Sequence, residues 1–263
     1  MTPTLRAVAV VAATATALAS CSLEPAADES TQTLVVGYQS KTINTVTAGT
    51  LLRAKGFLEK RLATVGKFRV DWQDFDTGAP ITSGMLAGKI QIGSMGDYPL
   101  LINGSRAQSS PETETAMLSV TGSSARGALN SVVVSPGSPL RSLADLRGKQ
   151  VSASVGSAGH GTLVAALSRA GLSTADVTVV NQQPQVGASA LESGQVQALA
   201  QFVAWPGLLV HQGKARLLYD GGELNTPTLH GVVANTKYAA SHPDVVRAFL
   251  EAQLDATDFQ REH

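Results

Sequence analysis

The stretch VSASVGSAGHGTLVAALSRAGLSTADVTVVNQQPQVGASALESGQVQALAQFV, from Val151 to Val203, decides the fold class. Residues 151–154 form a short apolar run. Residues 159–170 carry helical spacing until Gly171 stops it. Residues 176–180 predict a second strand, residues 186–193 a second helix closed by Gly194, and residues 198–203 a third strand. Strands alternating with short helices predict βαβ units and mostly parallel sheets.

The same alternation extends outward. Towards the C-terminus, a helix over 206–212 stopped by Gly213 leads to strands over 215–219 and 231–235. A long amphipathic helix over 244–257 follows, with Pro243 at its start and Val245, Phe249 and Leu254 on one side. Towards the N-terminus, residues 129–134 predict a strand, and Ser142 with Asp145 reads as a variant capping box opening a helix that ends at Gly148. Further back, strands over 33–38, 68–75, 90–93 and 116–120 alternate with helices over 45–62, 81–87 and 97–102. Two such blocks, 33–121 and 129–229, predict two α/β lobes. Ligands of open α/β sheets sit at the carboxyl ends of strands, so facing lobes enclose a ligand between those ends.

Composition bounds the rest. The 263 residues are 43% hydrophobic, which sustains a large core. Lys+Arg and Asp+Glu balance at 20 each, so nothing suggests the basic face that nucleic-acid binding needs. The single cysteine, Cys21, excludes an internal disulfide, and no metal-ligand spacing accompanies it. No cofactor is expected.

Residues 1–20 read as an export signal: Arg6, then an apolar run over 7–19 that is shorter than the ~20 residues needed to span a bilayer. Leu18-Ala19-Ser20-Cys21 resembles a bacterial lipobox, which implies lipidation of Cys21; ordinary secretory cleavage near Ser20 is the alternative. Residues 21–32 then serve as a tether.

Several segments together resemble the sulfonate/nitrate/taurine family of periplasmic binding proteins. In the first half they are Gly37-Tyr-Gln39, the run from Leu52 to Leu62, and Ile92-Gly-Ser-Met-Gly-Asp-Tyr-Pro99. In the second half they are Ser142 to Lys149, Gly156-Ser-Ala-Gly-His160, Leu191-Glu-Ser-Gly-Gln-Val196, and Ser241 to Leu250. The resemblance implies a type II binding-protein fold with two hinge crossings, expected near 121–128 and 229–233. Lobe 1 would cover 33–125, lobe 2 126–230, and a return to lobe 1 231–263. Further helices usually follow the return in this family, so lobe 1 is expected to be incompletely covered. The implied protein is a monomer. It captures a small solute, a sulfonate- or nitrate-type anion, and delivers it to the permease of an ABC importer, touching the membrane through its lipid alone.

Helix N-termini hold small anions through free N–H groups and the helix dipole. The candidate ligand contacts are therefore the turns at strand ends: Ser94, Met95, Gly96, Asp97 and Tyr98 in lobe 1, and Ser157, Gly159 and His160 in lobe 2. Gln39 and Ser40 follow the first strand, Ser123 lies at the first crossing, and Trp205 is expected at the cleft edge as an apolar wall. Asp97 reads first as a helix cap and second as the partner of a ligand ammonium. Trp72 reads as structural, and His211, His230, His242 and His263 as surface or connector residues. Two other classes fit the same scaffold: an enzyme of the menaquinone- or pyrimidine-pathway type, and a sensory ligand-binding module. No nucleophile–base pair supports the first.

Overall fold

Leu34 and Val36 alternate with less buried neighbours, which is the pattern of a strand packed between layers. They open the computed structural model, which describes residues 31–263. The expected export signal, Cys21 and nearly all of the tether lie outside the described residues. In chain order, β1 (Gln32–Tyr38), α1 (Thr50–Lys55), α2 (Phe57–Leu62), β2 (Phe68–Asp74), α3 (Gly78–Leu86), β3 (Ile92–Gly96), α4 (Asp97–Ala107) and β4 (Thr115–Ser124) build lobe 1. Lobe 2 holds β5 (Asn130–Val134), β6 (Gln150–Ala153), α5 (Ala158–Arg169), β7 (Thr178–Asn181), α6 (Pro184–Glu192), β8 (Ala198–Phe202), α7 (Trp205–His211) and β9 (Arg216–Asp220). The chain then returns to lobe 1 through β10 (Thr228–Asn235), α8 (Thr236–Ser241) and α9 (Pro243–Glu262).

Each lobe is one five-stranded sheet, ordered β2-β1-β3-β10-β4 and β7-β6-β8-β5-β9. The sheets are mixed rather than mostly parallel. In each, the strand that enters from the other lobe, β10 or β5, runs antiparallel to both of its neighbours. An entering strand begins at the hinge and must run away from it, which reverses its direction. The crossings lie between β4 and β5 and between β9 and β10. The expected crossing at 229–233 therefore falls inside β10.

The helix expected over 45–62 is broken into a 3-10 turn (Ile43–Ala48), α1 and α2. Gly56, at φ 63°, places a left-handed residue between α1 and α2, which no continuous helix admits. The Ser142–Asp145 capping box is present but opens only a 3-10 turn (Leu143–Leu146). On α9 the buried face is Val245, Ala248, Phe249 and Ala252, while Leu254 is exposed. Nine residues separate Val245 from Leu254, which at 100° each puts them on opposite faces.

Each lobe has its own main core. Leu34, Val36, Leu52, Leu58, Ile92, Val232 and Phe249 pack in lobe 1. Val132, Leu146, Val151, Leu163, Ala198 and Ala200 pack in lobe 2. Among the described residues, no helix is long and apolar enough to cross a membrane.

Candidate functional site

Three strand ends and three helix starts meet where the lobes touch. A small central cavity of about 10 Å³ is lined by Gln39 after β1, Gly96 at the end of β3, Ser157 and Ala158 at the start of α5, Phe202 at the end of β8, and His230 on β10. Gln39, Ser157 and His230 are 3%, 1% and 1% exposed. Gln39 Oε1 is buried without a hydrogen-bond partner, and an unmade bond of that kind costs ~1–3 kcal/mol. The lobes approach closely here because small residues face each other. A Cβ added to Gly96 would lie 3.1 Å from Ala158 Cβ and 3.2 Å from His230 Nε2.

Two larger chambers flank this centre. The first, about 590 Å³, lies beside the hinge, and its polar lining is Asp97, Tyr98, Asn130, Thr162, Thr226 and Thr228. Leu100, Leu101, Met117 and Val164 give it apolar walls. The second, about 260 Å³, lies on the other side of Tyr98 and holds Thr82, Ser83, Arg106, Gly156 and His160.

The local sequence explains the groups that face these spaces. Asp97 is the first residue of α4, where a carboxylate suits the helix dipole. Its Oδ1 accepts the Tyr98 N–H at 2.7 Å, and its Oδ2 accepts the Thr228 hydroxyl. Burial pushes the Asp97 carboxyl above its ordinary value, and those bonds only partly offset that. Ser157 caps α5, its hydroxyl accepting the His160 N–H at 3.3 Å. His160 Nδ1 accepts the Gly156 N–H at 3.3 Å, and burial lowers its pKa, so the ring is held neutral. Across the cleft, Tyr98 meets that ring edge-on, with centroids 5.9 Å apart.

The structure thus gathers Gln39, Gly96, Asp97, Tyr98, Ser157 and His160 along the interlobe cleft. The other candidates lie elsewhere. Ser40 is spent on Asp74, donating its backbone N–H at 2.9 Å and its hydroxyl at 2.6 Å. Ser94 and Met95 are buried inside β3, because that strand runs to Gly96 rather than stopping at residue 93. Ser123 is exposed on β4, paired with Leu229. Gly159 lies against β8, where an added Cβ would come within 2.6 Å of Gln201 Cα. Trp205 packs on the lobe 2 cluster around Val133 and Leu209 and does not wall the cleft. His230 is corrected most strongly: it is a buried cleft residue, not a connector. Asn130, Thr228 and Arg106 were also missed, for their local sequence carries no turn or helix-start signal.

Burial lowers the His230 pKa from 6.5 to about 4. The unfolded chain binds this proton near pH 6.5, the folded chain only near 4. Stability from the neutral ring is therefore complete above 6.5 and is lost as pH falls through that window, by roughly 3 kcal/mol in all. We expect urea unfolding of the wild type to weaken between about pH 6.5 and 4.5 more steeply than that of His230→Gln. Identical slopes would remove His230 as the cause.

The family model described as NMT1/THI5 like matches residues 112–263. The taurine-binding periplasmic protein of Escherichia coli is 30% identical over 190 residues, which cover 71% of this chain and 56% of the relative. The chain thus spans little more than half of that relative's length. Among solved structures, the alkanesulfonate-binding protein SsuA from Xanthomonas axonopodis pv. citri, bound to MOPS, superposes with a TM-score of 0.71 at 26% identity. That match covers 85% of this chain and 72% of the other. The periplasmic aliphatic sulphonate-binding protein SsuA from Escherichia coli gives 0.67 at 28% identity, covering 88% and 75%.

Proposed function

This chain belongs to the NMT1/THI5-like family, and from that premise we propose that it is an extracytoplasmic solute-binding protein of the sulfonate class, delivering its solute to the permease of an ABC importer. Its relatives are named as binding proteins, which supports binding rather than turnover. Cys21 is the anchoring residue in this reading, holding a monomer at the outer side of the cytoplasmic membrane or in the periplasm.

The observation that carries the reading is the convergence of Gln39, Ser157 and His230 on one buried point between two lobes. The Gln39 amide and the Ser157 hydroxyl, the latter at the start of the 12-residue helix α5, offer uncharged donors to an anion beside the neutral His230 ring. A cavity of about 10 Å³ holds little more than one water. An organic anion therefore enters by parting the lobes, and the two crossings supply the hinge.

A thermal-shift screen of taurine, alkanesulfonates of increasing length and nitrate tests this. A ligand present at 100 Kd adds ~2.7 kcal/mol, which raises the midpoint of a protein this size by roughly 5–10 °C. The sulfonate reading fails if nitrate alone shifts the midpoint, and the binding-protein reading fails if the bound solute is recovered chemically changed.

A further inference from the structure

The 590 Å³ chamber beside the hinge is lined by an acid and, among the described residues, by no base. Asp97 and Tyr98 are the ionisable side chains among its described lining residues, and no Lys, Arg or His joins them. The Asp97 carboxylate receives two hydrogen bonds, from the Tyr98 N–H and the Thr228 hydroxyl, and among the described residues it pairs with no cation. Asn130, 1% exposed, brings a carbonyl oxygen that has no hydrogen-bond partner. Leu100, Leu101, Met117 and Val164 surround these acceptors with apolar wall. The chamber beyond Tyr98 has the opposite character, with the Arg106 guanidinium in its lining beside the neutral His160 ring. The cleft is therefore polarised, acidic beside the hinge and basic at the far side.

Resting on the sulfonate-binding reading, we infer that this chamber receives an ammonium group carried on a short apolar chain, with Asp97 as the specificity-determining residue and Asn130 as the second acceptor. A half-buried carboxylate without a counter-ion is costly, and a ligand ammonium supplies both the charge and the donors it lacks. An alkanesulfonate without the amine would leave Asp97 and Asn130 unpaired on closure. Sites built around a substrate N–H discriminate strongly against analogues without it, because their polar groups are then stranded. The raised pKa of Asp97 fits a carboxyl that awaits such a partner.

The test is calorimetric titration of the full chain with 2-aminoethanesulfonate and ethanesulfonate, which differ by the amine alone. The wild type should prefer the amine-bearing ligand by about tenfold or more, the size of one charge-assisted hydrogen bond. In Asp97→Asn that ratio should collapse towards one, whereas Asp97→Glu should keep a preference of the same sign. Circular dichroism of each variant confirms the fold, and asparagine also suits a helix start. Equal wild-type affinities, or a ratio that Asp97→Asn leaves intact, would overturn the inference while leaving sulfonate binding standing. Failure of both ligands to bind would instead overturn the functional reading beneath it.

Discussion

Phe249→Ala should destabilise the protein by about 3–5 kcal/mol, the cost of emptying a large buried aromatic site. Phe249 is 0% exposed and belongs to the lobe 1 core together with Val36, Ile92 and Val232 of the sheet. The other attachments of α9 are weaker. Arg61 forks onto Asp255 at 2.7 and 2.6 Å, but both side chains are about a third or more exposed. Such surface pairs contribute ~0–1 kcal/mol. The Phe57–Phe259 contact, at 6.1 Å between centroids, lies at the helix's far end. Apolar packing at Phe249 therefore dominates the hold on α9. The thermal midpoint should fall by roughly 10 °C, read by calorimetry. A loss under about 1 kcal/mol, the size of an ordinary surface change, would show that α9 contributes little to lobe 1.

Gly161→Val should weaken ligand binding by about tenfold to hundredfold while leaving each lobe folded. Gly161 lies in the first turns of α5 in lobe 2, and Tyr98 of lobe 1 presses directly onto it. An added Cβ would fall 2.5 Å from Tyr98 Cδ2 and Cγ and 2.9 Å from its Cβ. Those atoms are at the root of the side chain, fixed by α4, so rotation of the ring gives no relief. Separating the lobes does. Overpacking of this kind costs ~1–3 kcal/mol, charged here to the closed state alone, and apparent affinity falls with the population of that state. The helix itself accepts valine at small cost. Titration with the solute found by thermal shift measures the affinity. Small-angle scattering should show the variant staying more open than the wild type with ligand present. Wild-type affinity in Gly161→Val would mean that Tyr98 and Gly161 do not meet in the bound form.

Much of this was legible from local pattern. The strand–helix alternation over 151–203 corresponds to β6, α5, β7, α6 and β8 within a few residues, because periodicity and glycine stops act over a handful of positions. The helix start at Ser157 and the strand-end position of Gln39 are equally local, and they placed both residues beside the cleft. Ser40 shows where that reasoning breaks. It follows the same strand, yet its hydroxyl is taken by Asp74, 34 residues away. Trp205 likewise reads as a cleft aromatic by position, but the neighbours that bury it come from elsewhere in lobe 2.

The sequence by itself determined the two α/β blocks, most of their helices and stops, and the small-residue turns that let two backbones approach. Tertiary structure alone decided which polar groups share the cleft. Asp97 and Thr228 are 131 positions apart and are joined only because β10 enters lobe 1 from the hinge and runs antiparallel to β3. That reversal puts the first residues of β10, Thr228 and His230, beside the carboxyl end of β3, and the matching reversal of β5 brings Asn130 to the same space. A residue at the start of a strand carries no sequence mark of facing a ligand. Only strand direction, set by the path of the whole chain, turns it toward one.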